Sequence, residues 1–119
     1  MRPKHIPLKM YQGEDFDYTI VWRDETGTLV NLTGYSAKMQ VRARDEDPNP
    51  LIELNTSNGR ISLGGVSGYL QLHINASDTG FLASSFEYPH VYDLEATDGA
   101  GKTRKIARGP LANIRDRTR

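Results

Sequence analysis

Apolar residues recur at every second position along most of this chain and almost nowhere at helical spacing. Phe16, Tyr18, Ile20 and Trp22 alternate largely with polar or charged neighbours, and Tyr35, Ala37, Met39 and Val41 do so again. Successive side chains of an extended strand point to opposite faces, so such a pattern buries one face and leaves the other wet. Ile6, Leu8 and Met10 alternate likewise, as do Leu70, Leu72 and Ile74, and then Tyr92, Leu94 and Ala96. Shorter strands are predicted over 51–54 and 60–63, and a last one over 102–111. Asp24-Glu25-Thr26-Gly27, Ser57-Asn58-Gly59 and Asp98-Gly99-Ala100-Gly101 supply residues that tolerate positive φ, as hairpins require. Strands spaced at about ten residues by such turns predict an all-β fold, an antiparallel β-sandwich of about seven to nine strands. One short helical turn is predicted near residues 77–82, capped by Asn75 or Ser77, limited by Gly80 and burying Phe81 or Leu82 as a plug.

The chain has 119 residues, enough for one core without metal or disulfide staples. Residues 13–111 are assigned to the β domain, 1–12 to an N-terminal arm or first strand, and 112–119 to a basic C-terminal arm. With no cysteine in the sequence, disulfide frameworks, thiolate zinc sites and thiol nucleophiles are all excluded. No apolar run approaches the ~20 residues that span a bilayer, and the opening MRPKHIPLKM lacks the apolar centre of a signal peptide. A soluble protein made in a cytoplasm is the expectation.

Fifteen basic and fifteen acidic residues cancel, which argues against nucleic acid as the primary partner. Their distribution is uneven. From Lys102 onward there are seven basic residues and one acid, Asp116, a net +6 that offsets −6 over the rest of the chain. A basic tail on an acidic body suits contact between neighbouring copies or docking on an acidic partner; a solvated tail is the plainer alternative.

No arrangement of residues announces catalysis, a metal or a cofactor. His5, His73 and His90 are far apart in sequence, without the close spacing common among metal ligands, and none of the serines sits in a nucleophile elbow. Gly64, Gly65 and Gly68 precede no Gly-Lys-Ser/Thr and open no helix, so they read as a strand connection and not a phosphate cradle. The acidic turns lack the ordered ligand spacing of a calcium loop. Most aromatic residues fall on the alternating apolar faces and read as core; Tyr11 and Tyr88, beside turn or proline signals, are the candidates for a ligand surface.

Several runs resemble small structural proteins of tailed bacteriophages and prophages. They are Gly13-Glu14-Asp15-Phe16, Val21-Trp22-Arg23-Asp24, Asn31-Leu32-Thr33-Gly34-Tyr35, Ala37-Lys38-Met39-Gln40-Val41-Arg42, Asn58-Gly59-Arg60-Ile61-Ser62-Leu63-Gly64-Gly65 and Tyr92-Asp93-Leu94-Glu95-Ala96-Thr97-Asp98. The chain is similar to the immunoglobulin-like N-terminal domain of upper baseplate proteins, which attaches a receptor-binding or fibre component to the virion. The resemblance implies an immunoglobulin-like sandwich and a non-enzymatic virion protein, synthesised in the bacterial host cytoplasm. Its role would be that of a tail or head-to-tail adaptor, a fibre anchor or a capsid decoration. Its partners would be other phage structural proteins and copies of itself, with no membrane and no cofactor. Only 112–119 follow the last predicted strand, so no fibre shaft or receptor-binding head is expected. Candidate contact residues are Ile6, Leu8 and Met10, in an arm able to pair with a neighbour instead of its own sheet, and Arg115, Arg117 and Arg119 in the basic tail. The competing reading is a carbohydrate- or surface-binding module acting through Tyr11 and Tyr88.

Overall fold

In the computed structural model, which describes residues 3–44, 47–80 and 89–114, the alternating segments form two β-sheets. The strands are β1 (Lys4–His5), β2 (Leu8–Tyr11), β3 (Phe16–Val21), β4 (Ser36–Arg42), β5 (Ile52–Asn55), β6 (Ile61–Leu63), β7 (Tyr69–Ile74), β8 (His90–Thr97) and β9 (Thr103–Ile114). One sheet has the order β9-β8-β4-β5, with β1 and β2 both lying along the other side of β9; the second has the order β3-β7-β6. The chain is therefore all-β. One expectation is corrected: the larger sheet is mixed, because β1 and β2 run parallel to β9.

The alternation decides what is buried. Met39, Val41 and Leu94 of the larger sheet and Leu70, Leu72 and Ile74 of the smaller one are wholly inaccessible and belong to one apolar cluster. Trp22 joins them and meets Tyr35 edge-on, with ring centroids 6.0 Å apart, the geometry that aromatic quadrupoles favour. Tyr18 departs from the inward assignment. It lies on an outermost strand, remains 38% exposed, and stacks on Phe16 with centroids 6.5 Å apart.

Two turns are built on the same device. Asp24 Oδ1 accepts from the N–H groups of Thr26 and Thr28, while Gly27 N donates back to Asp24 O. Asp98 Oδ1 accepts from Ala100 and Lys102, and Gly101 N donates to Asp98 O. In both, the glycine three residues after the aspartate takes positive φ, 88° at Gly27 and 87° at Gly101, where a Cβ would be disfavoured. The first turn closes on an isolated bridge, Arg23 to Leu29, and the second joins β8 to β9.

Strand β9 is irregular in ways that shape its edge. Leu94 pairs with Ala107 but Glu95 pairs with Lys105, so Ile106 is an extra residue and both Ile106 and Ala107 turn into the core. A bulge of this kind bends and twists the strand. Further on, β1 pairs with β9 up to Arg108 and β2 takes up the pairing at Leu111, so the break between them falls opposite Gly109-Pro110. Pro110 has no N–H to give a ladder, and at Gly109 the Ile6 backbone approaches so closely that a Cβ would lie 2.8 Å from its oxygen.

The helical turn is α1 (Ala76–Thr79), shorter than expected within the described residues. Asn75 occupies the cap position, but its side chain does not cap; Asp15 Oδ1 accepts from Ala76 N instead, at 2.8 Å. Thr79, fully buried, accepts from Gly13 N, and its own hydroxyl faces the Glu14 and Ala76 carbonyls. Asn113 Nδ2 donates to Thr79 O at 2.6 Å, which ties the turn to β9. Phe81 and Leu82, the expected plug, lie outside the described residues.

Candidate functional site

The N-terminal segment is held by the chain itself. Leu8 and Met10 face the core of their own domain and are almost wholly buried, and β2 pairs with β9 from Leu8↔Leu111 to Tyr11↔Ile114. Of the two expectations for this segment, arm or first strand, it takes the second in this chain. Its apolar alternation finds a partner in the same chain, and Leu8 and Met10 pack in its core. Ile6 is half-buried between β1 and β2: its N–H donates to Arg108 O at 3.0 Å and its carbonyl accepts from the Tyr92 hydroxyl at 2.6 Å. Burial first, and the Tyr18 phenol second, hold the Tyr92 hydroxyl far above the ordinary phenol range, so it stays a donor. Beside this seam Pro7, Leu8, Lys9, Pro89, Pro110 and Ala112 line a small apolar hollow of about 250 Å³.

Tyr11 is 45% exposed, and the Lys9 ammonium lies 5.4 Å from its ring centroid, within cation–π range. Tyr88, Arg115, Arg117 and Arg119 lie outside the described residues. The C-terminal boundary shifts as well: β9 runs to Ile114, so Ala112, Asn113 and Ile114 belong to the sheet and not to an arm.

Part of the basic segment is neutralised within the domain. Lys105 Nζ reaches Asp93 Oδ2 at 3.1 Å and Glu95 Oε2 at 3.4 Å, and Lys38 meets Glu95 from the other side. Burial alone would lower the Lys105 ammonium, but the bond to Asp93 and the two carboxylate charges outweigh it and raise it. Arg104 and Arg108 remain exposed on β9. The head-to-tail charge asymmetry of the sequence is therefore met partly by pairing across adjacent strands.

A groove of about 580 Å³ was not legible beforehand. Trp22 and Tyr35 form its aromatic part, Leu29 its apolar part, and Asp24, Glu25 and Arg104 its charged walls. All but Arg104 fall within residues 22–35, and only the fold brings Arg104 beside them, so no spacing could have signalled the groove. Hydrogen bonds from the Thr26 hydroxyl first, then from backbone N–H groups of the turn, hold the Asp24 carboxyl below its usual range. Trp22 is only 4% exposed, so it offers an edge and not a stacking platform.

On the outer face of the smaller sheet, His73 joins two neighbours. Its Nδ1 lies 2.7 Å from Asp17 Oδ1 and its Nε2 lies 2.7 Å from Asn75 Oδ1. The hydrogen bond to Asp17, then that to Asn75, raises the imidazole above its ordinary value. Among the described residues no three His, Asp or Glu side chains converge as a metal site would require, and no helix is long and apolar enough to cross a membrane. Compared with known proteins, the sequence matches no family model and no curated relative.

Proposed function

We propose that this protein is a non-enzymatic structural subunit of a bacteriophage virion, an adaptor, fibre anchor or decoration protein that works by binding other structural subunits and copies of itself. The observation that carries the reading is strand order. In an immunoglobulin-like sandwich the sheets run G-F-C, extended by C′, and B-E-D; here β9-β8-β4-β5 stands against β3-β7-β6 in the same sequence of places. On that assignment the two sheets are the layers of a sandwich around their shared apolar cluster. This is the fold that the phage-protein resemblance implies. Exposed Arg104 and Arg108 on the last strand add support, since a basic face suits an acidic neighbouring subunit.

The test is mass spectrometry of purified mature particles from cells that produce the protein. Its presence at stoichiometric level is expected; its absence from the particles overturns the reading. A second reading, glycan binding, draws on the exposed Tyr11 ring. Glycan-array binding that disappears in Tyr11→Ala would favour it over the structural role.

A further inference from the structure

The sheet edges are not alike. At β5 the outward backbone is occupied by side chains: Asn58 Nδ2 and Arg60 Nη1 both donate to Glu53 O, and Asn55 N donates to Asn58 Oδ1. Strand β6 is only three residues long. The β1–β2 edge is broken at Pro7 and carries Lys4 and Lys9. Short strands, prolines, lysines and covering side chains are the means by which proteins keep edges from pairing. Among the described residues, strand β3 has none of them. It is six residues, FDYTIV, rich in aromatic and β-branched side chains, with no proline, lysine or bulge in its pairing.

Its hydrogen-bonding phase follows from the ladder. Trp22 N donates to Gly68 O at 2.7 Å, continuing the β3–β7 register. In antiparallel pairs every second residue bonds to the partner, so Phe16, Tyr18 and Ile20 bond to β7. Asp17, Thr19 and Val21 turn their N–H and C=O groups to the open side, and all three residues are exposed. In the strand order proposed above, this is the place beside B that a first strand A would fill; here β1 and β2 lie along β9 instead.

The edge is also self-complementary. If two β3 strands run antiparallel about a two-fold axis at Thr19, Thr19 faces its own copy, and Asp17 faces Val21 in both halves. No like charges are opposed, and the residues that this register requires to bond are those whose backbone groups already point outward. The chain's zero net charge adds no long-range repulsion between copies. We infer that the free edge of β3 docks a second copy of this chain, the two β3 strands pairing about Thr19 to make one sheet of order β6-β7-β3-β3-β7-β6.

The inference stands on strand geometry and is separable from the virion reading, which particle composition tests. Sedimentation velocity of the full chain over a concentration series should show a monomer–dimer equilibrium. Thr19→Lys sets two ammonium groups against each other across the axis and should weaken the dimer about tenfold or more. The native chain has no cysteine, so single cysteines report the register. Paired residues in this position have Cα atoms about 5.5 Å apart, within disulfide reach. Thr19→Cys should form a disulfide dimer on mild oxidation, and Tyr18→Cys, which does not face its own copy, should not. If Thr19→Lys fails to fold by near-UV circular dichroism, the cysteine pair decides. A chain that stays monomeric throughout the series overturns the inference, as does a dimer unaffected by Thr19→Lys or cross-linked equally by both cysteines.

Discussion

His73 shows how much of this molecule's chemistry is settled by a single cross-strand register. Asp17 pairs with His73 between β3 and β7, which sets a carboxylate beside the imidazole on the outer face. That contact raises the proton affinity of the ring in the folded chain relative to the unfolded one. Stability gained this way is full below the ordinary imidazole value of 6.5 and is lost as pH rises through the higher folded value. His73→Gln should therefore melt below the native chain at about pH 5.5, with the gap narrowing by about pH 8. Thermal melts of both proteins across that window provide the check, and a gap independent of pH would sink the assignment. With the His73 side chain 37% exposed, the effect belongs to the small class of surface ion pairs. The alternation of Gln71 and His73 with Leu70, Leu72 and Ile74 was readable in the sequence because it is local. The identity of the partner was not, because Asp17 lies 56 residues away and only the register brings it close.

At the scale of the element, the strands follow from periodicity and the departures follow from contacts with distant segments. Residues 16–22, 35–41, 69–74 and 91–97 carry their burial in their own alternation, which is why those strands were legible. Nothing local distinguishes an N-terminal strand that joins its own sheet from one that joins a neighbour's. The parallel pairing of β2 with β9 closes a loop of about a hundred residues with no turn to announce it. Nor does sequence mark the extra residue at Ile106 or the outermost place of β3 that leaves Tyr18 exposed. The junction at Gly109 is where this long-range pairing is most exposed to a single change. A Cβ there would lie 2.8 Å from Ile6 O and 3.2 Å from Ile6 C, both backbone atoms that cannot swing aside. Gly109→Ala must push the β1–β2 junction outward and strain the Tyr92 hydroxyl's bond to Ile6 O. Overpacking combined with a weakened buried hydrogen bond should cost about 2–3 kcal/mol. Urea denaturation measures it, and a change below about 0.5 kcal/mol would mean that the junction is free to move.

For the whole molecule, the question is where the folded body ends and any binding appendage begins, and two truncations separate them. Among the described residues, the last backbone bond of the larger sheet runs from Gln12 N to Ile114 O at 2.8 Å, and Asn113 spans from β9 to Thr79. A chain ending at Ile114 keeps both, together with every β2–β9 pair, so its melting temperature should match that of the full protein. A chain ending at Leu111, the boundary expected from the sequence, loses the partners of Lys9, Met10 and Tyr11. It also leaves Thr79 O without the Asn113 amide. Exposing part of the core around Met10 while stranding a buried carbonyl should cost about 5 kcal/mol or more, comparable to the whole stability of a small domain. That chain should therefore lose its near-UV circular dichroism and its cooperative melt. The shorter deletion removes Arg115, Arg117 and Arg119 against Asp116, which leaves the remaining chain at net −2. If those arginines attach the protein to an acidic neighbour, co-sedimentation with particles should fall for the chain ending at Ile114 although its fold is intact. Raising salt should weaken binding of the full protein toward the same level, because exposed charges are screened beyond about 8–10 Å at physiological ionic strength. Binding that survives both the deletion and the salt would move the attachment surface off the C-terminus and onto the sheet edges.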